Sequence, residues 1–147
     1  MEFASEKDKT LIIWEPFSVY ELSNIDKKYL VEFKFPETVF KLLDAFYPGN
    51  FSNFHKILTK LSKRMSDYLV FYLLVKRVHQ LLVLKFSGSL KLPFWQVRKL
   101  KDQSTRWNSD KLLKALEGLY KIDAKIKTSS TPFSLFDSLD ILASFVL

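Results

Sequence analysis

The amino-acid sequence predicts a mainly α-helical protein, an antiparallel or orthogonal bundle of five to six helices preceded by a short two-strand segment. Three observations predict it. Apolar residues recur at three- and four-residue spacing from Glu37 onward. Pro, Gly and Ser clusters punctuate those stretches at short intervals. Residues 1–36 follow a different, strand-like pattern. We therefore divide the chain into an N-terminal segment, 1–36, and a helical domain, 37–147.

In the N-terminal segment, Leu11-Ile12-Ile13-Trp14 is a β-prone run that ends at Glu15-Pro16. Tyr29 to Phe35 alternates apolar and polar near its end and stops at Pro36. Two short strands are marginal alone and need helices or another sheet to lie against.

The first helix carries Val39, Phe40, Leu43 and Phe46 on one face and ends at Tyr47-Pro48-Gly49-Asn50. Phe51, Phe54, Ile57, Leu58 and Leu61 make the stripe of the second. Ser66-Asp67 caps a third helix that runs to about Phe86. Its first half is apolar nearly all round, which predicts a helix surrounded by others. Ser87-Gly88-Ser89 breaks it, and Pro93 opens the fourth at the position where a missing N–H costs nothing. There Phe94, Val97 and Leu100 form the expected core side.

Asn108 caps the fifth helix, whose stripe is Leu112, Leu113, Leu116, Leu119, Tyr120 and Ile126. Lys125 and Lys127 lie in its last turn, where cations suit the helix dipole. Pro132 is read as the start of the sixth helix, with Phe133, Leu135, Phe136, Leu139, Leu142 and Val146 inward.

Composition excludes several chemistries. The 147 residues include no cysteine, so disulfides, zinc ribbons and cysteine nucleophiles are ruled out, and the count suits a reducing compartment. Three glycines and no Gly-x-x-x-x-Gly-Lys-Ser/Thr pattern exclude a Walker phosphate loop. The longest apolar run, Tyr68 to Val75, is eight residues, against about 20 for a membrane span. The first nine residues are polar and carry acids, unlike a secretory leader, so a cytoplasmic location is expected.

The two histidines, His55 and His79, have no nucleophile elbow and no His-x-x-x-His partner, and read as half-exposed helix residues. The carboxylate pairs Glu37 with Asp44 and Glu117 with Asp123 read as solvated helix faces. We expect no catalytic residue, no metal ligand and no cofactor. Asp123 stands apart, because Leu119 and Ile126 beside it belong to the stripe. Its carboxylate is expected to face a partly buried seam, partnered by Arg98, Arg106 or a helix N-terminus.

The net charge of +7 favours nucleic acid or an acidic protein surface. From Lys91 to Trp107 the cations Lys91, Arg98, Lys99, Lys101 and Arg106 interleave with Phe94, Trp95 and Trp107. Cations suit phosphates and rings suit unstacked bases, so this segment is the candidate contact with nucleic acid or a partner.

Several segments together resemble a known family. Leu92-Pro93-Phe94-Trp95-Gln96-Val97-Arg98-Lys99-Leu100 resembles the start of a helix in the C-terminal domain of the bacterial DNA polymerase III delta subunit. Asn108 to Leu116 and Tyr120 to Thr128 are similar to that family's capped Leu-Leu-x-Ala-Leu helix with its Asp-x-x-Ile-Lys-Thr ending. Val39-Phe40-Lys41-Leu42-Leu43-Asp44-Ala45-Phe46, with Gly49-Asn50, looks like an earlier helix and turn. Leu73 to Leu82 resembles the long helix after it, with His79 where the family often has Arg. The segment from Pro132 resembles the closing Leu-rich helix.

The resemblance spans about Glu37 to Leu147, and its weight lies in the order and spacing of the segments. It implies a clamp-loader collar domain, which packs beside the collars of the gamma/tau and delta-prime subunits during DNA replication. It implies no ATP hydrolysis, and Thr10 to Pro36 as a remnant of the last strands of an AAA+ module. The resemblance further implies that this chain is not expected to open a clamp unaided, since the family's clamp-opening element lies outside the resembling segments. Direct DNA contact stays open, as does a basic helical nucleic-acid-binding protein derived from the same fold.

Overall fold

The structure, a computed structural model, describes residues 36–147, which lie within one unit bounded at Phe35 and Leu147. The expected strand pair falls outside the described residues. Those described form six helices and no strand: α1 (Glu37–Ala45), α2 (Phe51–Leu61), α3 (Asp67–Ser87), α4 (Phe94–Thr105), α5 (Ser109–Lys127) and α6 (Leu135–Val146). Helices α1 and α2 pair, α3 packs with α4 and with α5, and α5 pairs with α6. The chain closes because α6 also reaches α2 and α3.

Local signals start and stop these helices. Gly88 stops α3 at φ +72°, a left-handed conformation that glycine adopts without Cβ strain, and its N–H donates to the Leu84 carbonyl. Asn108 opens α5, its side-chain oxygen accepting from the Asp110 N–H at 2.8 Å. Lys125 and Lys127 occupy the last turn of α5, as the dipole favours. Pro93 sits one residue before α4 begins rather than inside it.

The sixth helix begins at Leu135, not at Pro132. Ser134 accepts from the Asp137 N–H at 3.1 Å, and Asp137 accepts in return from the Ser134 N–H. This reciprocal box satisfies two otherwise orphaned donors, so it sets the start more firmly than a proline two residues upstream.

Leu42, Phe54, Leu74, Leu81, Trp107, Leu112 and Leu119 are among the largest fully buried side chains. The stripes are narrower than periodicity alone suggests. Phe40, Leu113, Tyr120 and Phe133 are exposed. So is Phe94, at 82%. The inward face of α4 centres on Leu100, and Phe94 lies about 120° round the helix from it. The expectation that neighbours enclose the first half of α3 also fails, since Tyr68 and Tyr72 are both exposed there.

Gly118 of α5 packs against the Leu142 side chain of α6. A Cβ at that position would overlap the Leu142 side chain. Replacing Gly118 with Val should destabilise the fold by about 1–3 kcal/mol, as overpacking does. Adding Leu142→Ala should recover part of that loss in urea unfolding. Strictly additive losses would refute the contact.

Candidate partner or nucleic-acid interface

Helix α1 ends without a glycine or a side-chain cap of its own, and leaves carbonyls that must find donors. The backbone N–H groups of Phe46 and Tyr47 reach the carbonyls of Leu43 and Ala45, and three side chains add further donors. Gln103 Nε2 donates to the carbonyls of Leu43 and Phe46, both at 2.8 Å. Trp107 Nε1 donates to the Phe46 carbonyl at 3.2 Å. Asn50 Nδ2 donates to the Ala45 carbonyl at 2.9 Å, so it closes α1 and caps nothing in α2 with its side chain. Gln103 and Trp107 are buried, and the Trp107 ring lies 5.3 Å from that of Phe46.

The far end of the Gln103 amide completes the set. Its Oε1 accepts from Arg77 at 3.0 Å, and the same Arg77 guanidinium lies 3.5 Å from Asp44 Oδ1. That second contact is charge attraction rather than an aligned hydrogen bond, since Asp44 Oδ1 is buried with no hydrogen-bond donor. Lys99 approaches Asp44 Oδ2 at 2.5 Å. Burial lowers the Arg77 pKa and Asp44 opposes the shift, and the guanidinium stays a cation. Lys85 donates to the carbonyls of Ser104, at 2.9 Å, and Trp107, closing the end of α4.

Asp44 is thus no solvated face. Together with Arg77 and Gln103 it ties α1, α3 and α4 into one polar cluster. A signal for it exists in the sequence. Gln103 and Ser104 fall three and four residues after Leu100, in core register, where a polar side chain must be satisfied.

Asp123 differs from expectation in the opposite direction. Its partner is Lys127, one turn along the same helix at 2.6 Å, and its side chain is 39% exposed. Arg98 and Arg106 belong to α4 and its end and do not pair with it. The stripe narrows toward the end of α5, with Ile126 only half-buried, so no closed seam forms there. Glu117 pairs with Lys121 in the same way, and that hydrogen bond holds its carboxyl below the usual range. Glu37 pairs with Lys41 at 3.8 Å.

His55 is not idle. Its Nδ1–H donates to both oxygens of Asp140, at 2.8 and 2.9 Å, and joins α2 to α6. His79 is exposed. No cluster of three His, Cys, Asp or Glu residues with metal-binding geometry occurs among the described residues. No helix among them is long and apolar enough to cross a membrane.

The five cations singled out near α4 divide into two sets. Lys99 is held by Asp44, and Arg106 lies over the Tyr47 ring at 4.4 Å, beside a shallow cleft of about 190 Å³. Lys91, Arg98 and Lys101 are exposed and pair with no carboxylate among the described residues. Around them stand Phe86, Phe94 and Trp95, exposed at 68%, 82% and 66%. All three rings flank the turn between α3 and α4. Trp107 is excluded from this surface by burial. What remains is a small basic and aromatic prominence, suited to stacking and charge contact.

Comparison with protein-family models, curated proteins and solved structures finds no match to this chain.

The cluster around Gln103 has a measurable consequence. Gln103→Leu should cost about 1–3 kcal/mol in chemical unfolding, because the Leu43 and Phe46 carbonyls and Arg77 each lose one hydrogen-bond partner. Asp123→Asn should change stability by less than about 0.5 kcal/mol, as an exposed pair does. A large loss at Asp123 would contradict the exposed pairing.

Proposed function

We propose that this chain is a non-catalytic, delta-like clamp-loader domain that holds subunits together in the DNA polymerase III clamp loader. The observation that carries the reading is the meeting of two delta-like segments. Asp44, from the Val39–Phe46 segment, is ion-paired with Lys99, from the Leu92–Leu100 segment. The other segments of the resemblance are also helical: Leu73 to Leu82 lies in α3, Asn108 to Thr128 spans α5, and the closing run is α6. The work of such a domain is burial of apolar surface against neighbouring collars. Its exposed rings, Tyr68, Tyr72, Tyr120 and Phe145 among them, supply that surface. Its setting is the cytoplasm, and neither ATP nor a metal takes part.

The exposure of Phe94 and Trp95 beside Lys91, Arg98 and Lys101 favours a second reading, a helical protein that contacts single-stranded nucleic acid through α4. Salt separates the two. Co-purification with the gamma/tau and delta-prime collar domains should survive high salt if the contact is largely apolar, and no retention would overturn the collar reading. Oligonucleotide binding, measured by fluorescence anisotropy, should weaken steeply with salt and fall in an Arg98→Ala/Lys101→Ala variant if the second reading holds.

A further inference from the structure

The cleft beside Asp44 carries carboxylates, Asp44 and Asp102, among its cations. A second cleft differs from it. It opens between the start of α1 and the turn that joins α2 to α3, and encloses about 510 Å³. That lies within the range of about 300–1,000 Å³ usual for small-ligand sites. Lys60, Lys63 and Arg64 line it, and no carboxylate does among the described residues. The turn gathers these cations by backbone hydrogen bonding. Where α2 ends, the N–H groups of Arg64 and Met65 both donate to the Leu61 carbonyl, at 2.9 and 3.0 Å. The three cations are exposed, Leu61 is buried and Met65 is half-buried, so charge and apolar surface share one wall.

The dipole of α2 favours Lys60 in its last turn, whereas Lys63 and Arg64 stand beyond the helix. None of the three pairs with a carboxylate among the described residues. The acids in the first turns of α1 and α3 are engaged elsewhere. Glu37 pairs with Lys41, and Asp67 accepts from the N–H of Tyr68 at 2.8 Å. Three like charges at one cleft repel one another, and a bound anion offsets that repulsion. A phosphate monoester suits them, with about two negative charges near neutral pH and three terminal oxygens to accept charge-assisted hydrogen bonds. A carboxylate offers one charge and two oxygens.

We infer that this cleft binds a phosphate monoester, with Lys60, Lys63 and Arg64 on the phosphate and Leu61 and Met65 against its organic part. Small phosphorylated molecules and the terminal phosphate of a nucleic-acid strand both present that group. The inference rests on neither reading above, because α4 and its cations take no part in the cleft.

Heteronuclear NMR titration of the full chain with phenyl phosphate tests it. Amide resonances of residues 60–65 should shift saturably, and benzoate at equal ionic strength should bind about tenfold more weakly. Lys63→Gln/Arg64→Gln, at exposed positions, should weaken phenyl phosphate binding by about tenfold or more. Arg98→Ala/Lys101→Ala should bind it as the wild-type chain does. Competition then separates the two sources. Displacement by an oligothymidylate with a terminal phosphate, but not by its dephosphorylated form, identifies a strand end. Failure of both strands to displace phenyl phosphate identifies small phosphate esters. Equal displacement by both would overturn the proposal, because backbone phosphates would then suffice. So would the absence of shifts with phenyl phosphate, equal binding of benzoate, or wild-type affinity in Lys63→Gln/Arg64→Gln.

Discussion

A helix that ends inside a protein leaves carbonyls that water cannot reach, and the close of α1 turns on how they are satisfied. The carboxamide of Gln103 donates to two of them while its oxygen accepts a hydrogen bond from Arg77. One side chain thereby connects α1, α3 and α4. Trp107 shares the Phe46 carbonyl and fills the space beneath it with the largest ring of the core. A buried polar group of this kind is costly half-satisfied and specific when complete. It fixes where α4 lies on α3, and so where the turn before α4 projects.

The surface follows from that arrangement. Because Leu100, Gln103 and Ser104 face inward, the first residues of α4 turn outward and carry Phe94 and Trp95 with them. The cations divide for the same reason. Lys99 lies close enough to Asp44 to be bound by it, whereas Arg98 and Lys101 point away. Exposed rings on α3, α5 and α6 add further apolar surface. The core is held together by this polar cluster, its leucines and the buried rings of Phe46, Phe54 and Trp107, while several other aromatic side chains stand exposed.

Much was legible beforehand. Helices near the observed α1 to α5 follow from three- and four-residue spacing, Gly88 as a stop and Asn108 as a cap. Those are local effects, carried by backbone conformation and hydrogen bonds within a few residues. The start of α6 was also local, yet the Ser134 and Asp137 box is a less conspicuous signal than Pro132. Asp123 pairs with Lys127 one turn away, because two apolar neighbours on a helix do not fix which side a partner occupies.

The sequence by itself determined that the described residues would be helical, roughly where each helix would lie, and which chemistries were excluded by missing residue types. Tertiary structure alone decided the side of each stripe that is buried. It turned Phe94, Tyr68, Tyr72 and Tyr120 outward and drew Asp44, Arg77 and Gln103 together across long sequence separations. Periodicity reports only that a helix has an apolar face. How much of that face is covered depends on the shape and reach of neighbours, and those are set by packing between distant segments.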